Sequence, residues 1–113
     1  MEYTVDSNDG VKVVHLQGPV DVSQAVALRD VLGAEINGPA ARVLVDLSDV
    51  PLIDSSGIGV MVTAHRRADG TGAGFALAAP GPTVARVFSL TRTDKLLRLY
   101  TTVGEGVEAL RTA

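Results

Sequence analysis

The sequence predicts an α/β layer fold: a mixed, mostly parallel β-sheet that opens with a β-hairpin and is interleaved with about four helices. Three observations predict it. Two segments rich in β-branched residues flank a Ser7-Asn8-Asp9-Gly10 turn at the start of the chain. Helix-spaced and strand-like apolar patterns then alternate to the end. The chain has 113 residues, 46% of them hydrophobic and 20% charged, enough for one core and one domain over 1–113.

The elements follow in order. Residues 2–6 and 11–17 read as antiparallel strands, because Asn and Asp before Gly accept the positive φ of a tight hairpin. Gly18-Pro19 ends the second strand, since Pro cannot donate to a central ladder. Ala25, Leu28, Leu32 and Ile36 then recur at helical steps, with Asp21 three residues before Gln24 as an N-cap pattern and Asn37-Gly38-Pro39 as the stop. Val43-Leu44-Val45-Asp46-Leu47 is a short apolar run of the kind covered on both faces of a sheet. Ile58, Met61, Val62 and His65 mark a second helix ending near Asp69-Gly70, and Phe75-Ala76-Leu77-Ala78 the next strand. Gly81-Pro82 opens a third helix through Val84, Val87 and Phe88, with Pro at the first helical position. Leu97-Arg98-Leu99-Tyr100 reads as the last strand, and Thr102 as the cap of a terminal helix carrying Val103, Val107 and Leu110. Right-handed crossovers usually put helices on both faces, but helices this short could also share one, so periodicity leaves that choice open.

Composition excludes several functions. Ten Lys and Arg against 13 Asp and Glu give a net charge of −3, the reverse of the basic excess of a nucleic-acid binder. Zero cysteines exclude disulfides, thiolate-bound zinc, iron–sulfur clusters and a thiol nucleophile. The first residues lack a basic segment followed by an apolar one, and no apolar run approaches the ~18 residues of a membrane span, so a cytoplasmic protein without membrane contact is expected. Gly70-Thr71-Gly72-Ala73-Gly74 lies between a helix and a strand, the wrong order for a dinucleotide-binding loop. His15 and His65 are too isolated for a metal site, and Asp46, Asp49 and Asp54 have simpler roles at a strand end, a turn and a cap. No Gly-x-Ser-x-Gly elbow supports a hydrolase. Neither a catalytic centre, a cofactor nor a metal is expected.

The informative stretch runs from Asp46-Leu47-Ser48 to Asp54-Ser55-Ser56-Gly57-Ile58-Gly59-Val60: a buried strand, a loop, then a helix start. Ligands and partners of α/β sheets gather at such loops. Asp54, Ser55 and Ser56 can be read simply as caps that accept hydrogen bonds from the helix amides. They can also be read as a switch. A phosphate on an exposed hydroxyl there adds roughly −1.5 to −2 charges. The helix's own amides and dipole would tolerate that anion, a term of ~0.3–1 kcal/mol. A partner with apolar or acidic surface over the same spot would not, because a mismatched buried charge costs ~2–5 kcal/mol.

These residues carry a resemblance. The run from Asp46 through Asp54-Ser55-Ser56-Gly57 closely resembles the STAS domain (sulphate transporter and anti-sigma-factor antagonist), and is most similar to the single-domain bacterial anti-sigma-factor antagonists. The likeness extends from the Gly18-Pro19-Val20-Asp21 corner to the terminal helix. It implies helices packed largely on one side of the sheet. It implies that Ser55 is phosphorylated by an anti-sigma factor that is itself a serine kinase, that the unmodified chain binds that kinase and releases a sigma factor, and that a serine phosphatase resets the system. Asp21, Asp54, Ser55, Ser56 and Gly57 would form the partner-binding surface. Pro19 stands where the family usually has an acidic residue, which removes a charge and a backbone donor, and Gly81 replaces a more usual Ser or Asn cap. The alternative within the same resemblance is a STAS subunit that never switches, fixed in a stress-sensing or transporter assembly.

Overall fold

Asp9 and Gly10 carry the chain through a two-residue turn with φ of 51° and 81°, the paired left-handed conformation of a type I′ hairpin. The computed structural model, which describes residues 1–112, thus begins with antiparallel β1 (Glu2–Asn8) and β2 (Val11–Gln17). Ser7 and Asn8, expected in the turn, extend β1 instead, because two residues suffice to reverse the chain.

The rest alternates helix and strand: α1 (Ala25–Glu35), β3 (Arg42–Asp49), α2 (Ser55–Thr71), β4 (Gly74–Ala78), α3 (Pro82–Leu90), β5 (Leu99–Tyr100) and α4 (Val103–Arg111). The sheet order is β1-β2-β3-β4-β5, parallel at every pairing after the first. Successive side chains of a strand point to opposite faces, and both faces of β3 are covered. Val43, Val45 and Leu47 pack with Leu28 of α1, Met61 of α2 and Phe88 of α3. Leu44 faces the other way, against Val107 and Leu110 of α4. Among the described residues three helices therefore lie on one side and α4 alone on the other, which settles the arrangement that periodicity left open.

Other boundaries differ from expectation for local reasons, and β3 runs past Leu47 to Asp49. α2 runs past Asp69-Gly70 to Thr71, because an exposed Gly inside a helix only weakens it, and the helix stops where Gly72 turns left-handed with φ 78°. The last strand shrinks to Leu99–Tyr100, since a 3-10 turn at Thr93–Lys95 directs Leu97 into the core. Gln24, not Asp21, is the residue before α1; Asp21 sits one turn earlier, where its carboxylate binds the amide and hydroxyl of Ser23.

Candidate functional site

Beyond β2 and β3 the chain keeps its parallel pairing in irregular form. The Gly18 amide donates to the Asp49 carbonyl oxygen (3.1 Å), the Val20 amide to Leu52 (3.0 Å), and the Asp54 amide returns to Val20 (3.2 Å). Val20 and Ile53 form an isolated parallel bridge. The 18–24 corner is thus sewn to the segment leading into α2. Pro19 is exposed between the two donating residues, so its missing N–H removes no bond from this seam.

Asp54 joins the two segments through its side chain as well. Its Oδ1 accepts from the amides of Ser56 (2.9 Å) and Gly57 (3.1 Å), capping α2. Its Oδ2 accepts from the Val22 amide (3.2 Å). The expected cap is present, and the bond to Val22 is the part that spacing could not reveal. Gly57 makes the approach possible, for a Cβ there would lie 2.7 Å from Val20 Cγ1, Ile53 Cγ1 and the Val20 carbonyl oxygen.

The structure therefore brings Asp21, Asp54, Ser55, Ser56 and Gly57 to one corner, although 33 positions separate the Asp21 and Asp54 carboxylates in sequence. Ser55 is exposed at the first position of α2, Ser56 is half-buried and Gly57 buried. The hydroxyl of Ser23, followed by backbone amides, holds the Asp21 carboxyl below its ordinary range, so it is ionised at neutral pH. Because Asp54 already occupies the Ser56 and Gly57 amides, a phosphate on Ser55 would add charge to this corner rather than enter an empty cradle. Around the corner lie exposed apolar side chains that sequence reading missed: Val22 (71% exposed), Val26 (64%) and Leu52 (46%). The spacing of Val22 and Val26, four apart and off the Ala25–Leu28–Leu32 stripe, was the available signal.

A second polar group lies on the α4 side of the sheet. His15 on β2 sits between two carboxylates, Nδ1 2.6 Å from Asp46 Oδ2 and Nε2 3.0 Å from Asp6 Oδ2. The other Asp46 oxygen accepts from the Ser48 amide at 3.0 Å, which fixes the end of β3. The Asp46 hydrogen bond outweighs burial and raises the His15 pKa above 6.5. Burial works against the Asp46 carboxylate, but the bonds from Ser48 and His15 prevail and its pKa falls below 3.8. The imidazolium contribution to stability is complete below the unfolded His value of ~6.5 and is lost as pH rises through the higher folded value. The Asp46 contribution holds above ~3.9 and is lost as pH falls through the lower folded value. Thermal melts of the wild type should therefore shift downward as pH rises above about 6.5, and His15→Gln should flatten that slope. A variant with the wild-type slope would refute the pairing.

Among the described residues no helix is long and apolar enough to cross a membrane. The STAS domain family profile matches residues 2–106. A Thermotoga maritima protein named provisionally as an anti-sigma factor antagonist is 39% identical over 70 residues, which span 62% of this chain and 62% of that relative's length. The anti-sigma-F factor antagonist RsfB of Mycobacterium tuberculosis is 27% identical over 108 residues, 96% of this chain and 88% of the relative. The crystal structure of an anti-sigma factor antagonist from Mycobacterium paratuberculosis superposes with a TM-score of 0.86 at 31% identity, covering 97% of this chain and 93% of that one.

Proposed function

The chain belongs to the STAS domain family, and from that premise we propose that it is a non-enzymatic anti-sigma-factor antagonist, switched by phosphorylation of Ser55. The unmodified chain binds an anti-sigma serine kinase through Asp21, Asp54, Ser55, Ser56 and Gly57, and the kinase releases its sigma factor. Phosphorylation ends the complex, and a serine phosphatase restores it. All of this takes place in the cytoplasm of a bacterium.

The observation that carries this reading is an exposed Ser55 at the start of a helix whose first amides are already occupied by Asp54. A phosphate on that hydroxyl projects from the surface beside two carboxylates. The fold gains at most the dipole term of ~0.3–1 kcal/mol. A partner closed over the corner faces a mismatched charge of ~2–5 kcal/mol. The larger effect falls on the complex, so modification separates the partners and leaves the domain folded.

Incubation with the purified anti-sigma kinase of the source organism and ATP should raise the intact mass by one phosphate, and Ser55→Ala should abolish the gain. By calorimetry Ser55→Ala should bind that kinase as the wild type does. The phosphorylated form and Ser55→Glu should bind at least tenfold more weakly, a difference of ~1.4 kcal/mol. Equal affinity for all forms would overturn the switch and favour a fixed, unmodified subunit.

A further inference from the structure

We infer that the groove between α1 and α2 receives an amphipathic helical segment of the anti-sigma factor, its apolar side chains seated between the helices and a carboxylate over Arg29 and Arg67. This rests on the function proposed above and names the part of the partner that the chain recognises.

The groove begins at the candidate site. Its open mouth, about 440 Å³, is lined by Val22 and Val26 of the α1 side and by Ser56, Gly59 and Val60 of α2. It continues into a deeper pocket of about 110 Å³ floored by Leu32, Ile36 and Ala64. Arg29, Val60 and Thr63 line both parts, so they form one channel. From Ser56 to Arg67 the channel follows α2 for about 16 Å, the length of three helical turns. Glycine keeps it open: a Cβ on Gly59 or on Gly33 would meet nothing within 4 Å.

Charge identifies the occupant. The chain as a whole is acidic, at −3, yet among the described residues no acidic one lines either part of the channel and the charged residues that do are Arg29 and Arg67. Arg67 donates Nε–H to the Ile36 carbonyl oxygen at 3.4 Å. Among the described residues neither arginine has a carboxylate within 4 Å. A planar guanidinium with unused donors above an apolar floor suits a carboxylate carried on an apolar segment. The valines at the mouth are among the most exposed large apolar side chains of the molecule, and helix-in-groove docking buries such a stripe. Orientation follows: the acidic end lies over Arg29 and Arg67, away from Asp21.

Gly59→Leu fills the channel from a position with free space, and Leu favours helix more than Gly does. Its melting temperature should equal or exceed that of the wild type. Calorimetry against the purified anti-sigma factor should show at least tenfold weaker binding for Gly59→Leu. Arg29→Glu should also bind at least tenfold more weakly, with a loss of salt dependence. If the wild type binds and both variants bind equally well, the groove assignment is overturned while the function stands. If the wild type fails to bind, both are overturned. If the wild type sediments as a dimer and Gly59→Leu as a monomer, the groove serves a second copy of this chain and the assignment is likewise overturned.

Discussion

Gly57→Ala should destabilise the domain by about 2–3 kcal/mol, within the range of overpacked cores, even though Ala is the better helix former by about 1 kcal/mol. The added methyl would meet three atoms at 2.7 Å. Two are side-chain carbons of Val20 and Ile53. The third, the Val20 carbonyl oxygen, cannot yield without breaking the 3.2 Å bond it accepts from the Asp54 amide. The corner must open, and Asp21 moves away from α2 with it. Gly59 is the internal control. It lies two residues along the same helix with open space around its Cβ, so Gly59→Ala should stabilise by up to about 1 kcal/mol. Urea unfolding of both variants decides the matter, with hydrogen exchange at the amides of Val20 and Val22 reporting where the damage lies. Similar shifts in the two proteins would show that close approach at Gly57 is not what organises the site.

Asp54→Ala should cost about 1–2 kcal/mol of stability through the lost cap, and should weaken binding to the anti-sigma kinase at least tenfold. Binding falls as well as stability because one side chain organises both halves of the proposed interface. Removing it leaves the Ser56 and Gly57 amides uncapped and releases Val22, and with it the turn that presents Asp21. An interface that must be ordered on binding loses affinity by the cost of ordering it. Asp54→Asn separates the two functions. Asn caps as well as Asp does, so its oxygen can serve α2, but its NH2 group then faces the Val22 N–H, donor against donor. Stability should return nearly to wild type while binding recovers only in part. Wild-type affinity in Asp54→Ala would exclude this corner as the docking surface.

The element pattern was readable because each signal is local. Asp9-Gly10 makes a hairpin by its own φ preferences, the run 43–47 is apolar because both its faces are covered, and Pro82 starts α3 by lacking an N–H. The errors fall where a neighbour far away in sequence decides. Leu97 could not be told from a strand residue without the core into which it turns. Asp21 matched a helix cap by spacing, but Ser23 takes its carboxylate first. Asp46 read as a strand-end residue, and its partner His15 is 31 positions away.

Chain order alone determined the hairpin, the alternation of helix and strand, and the Asp-Ser-Ser-Gly start of α2, since periodicity, turn chemistry and capping act over a few residues. Only the folded sheet decided that Val22 would donate to Asp54, that Gly57 must remain without a side chain, and that two arginines from different helices would border one apolar channel. Those relations depend on segments brought together by parallel pairing across the sheet, and no preference confined to a short window of sequence encodes that distance.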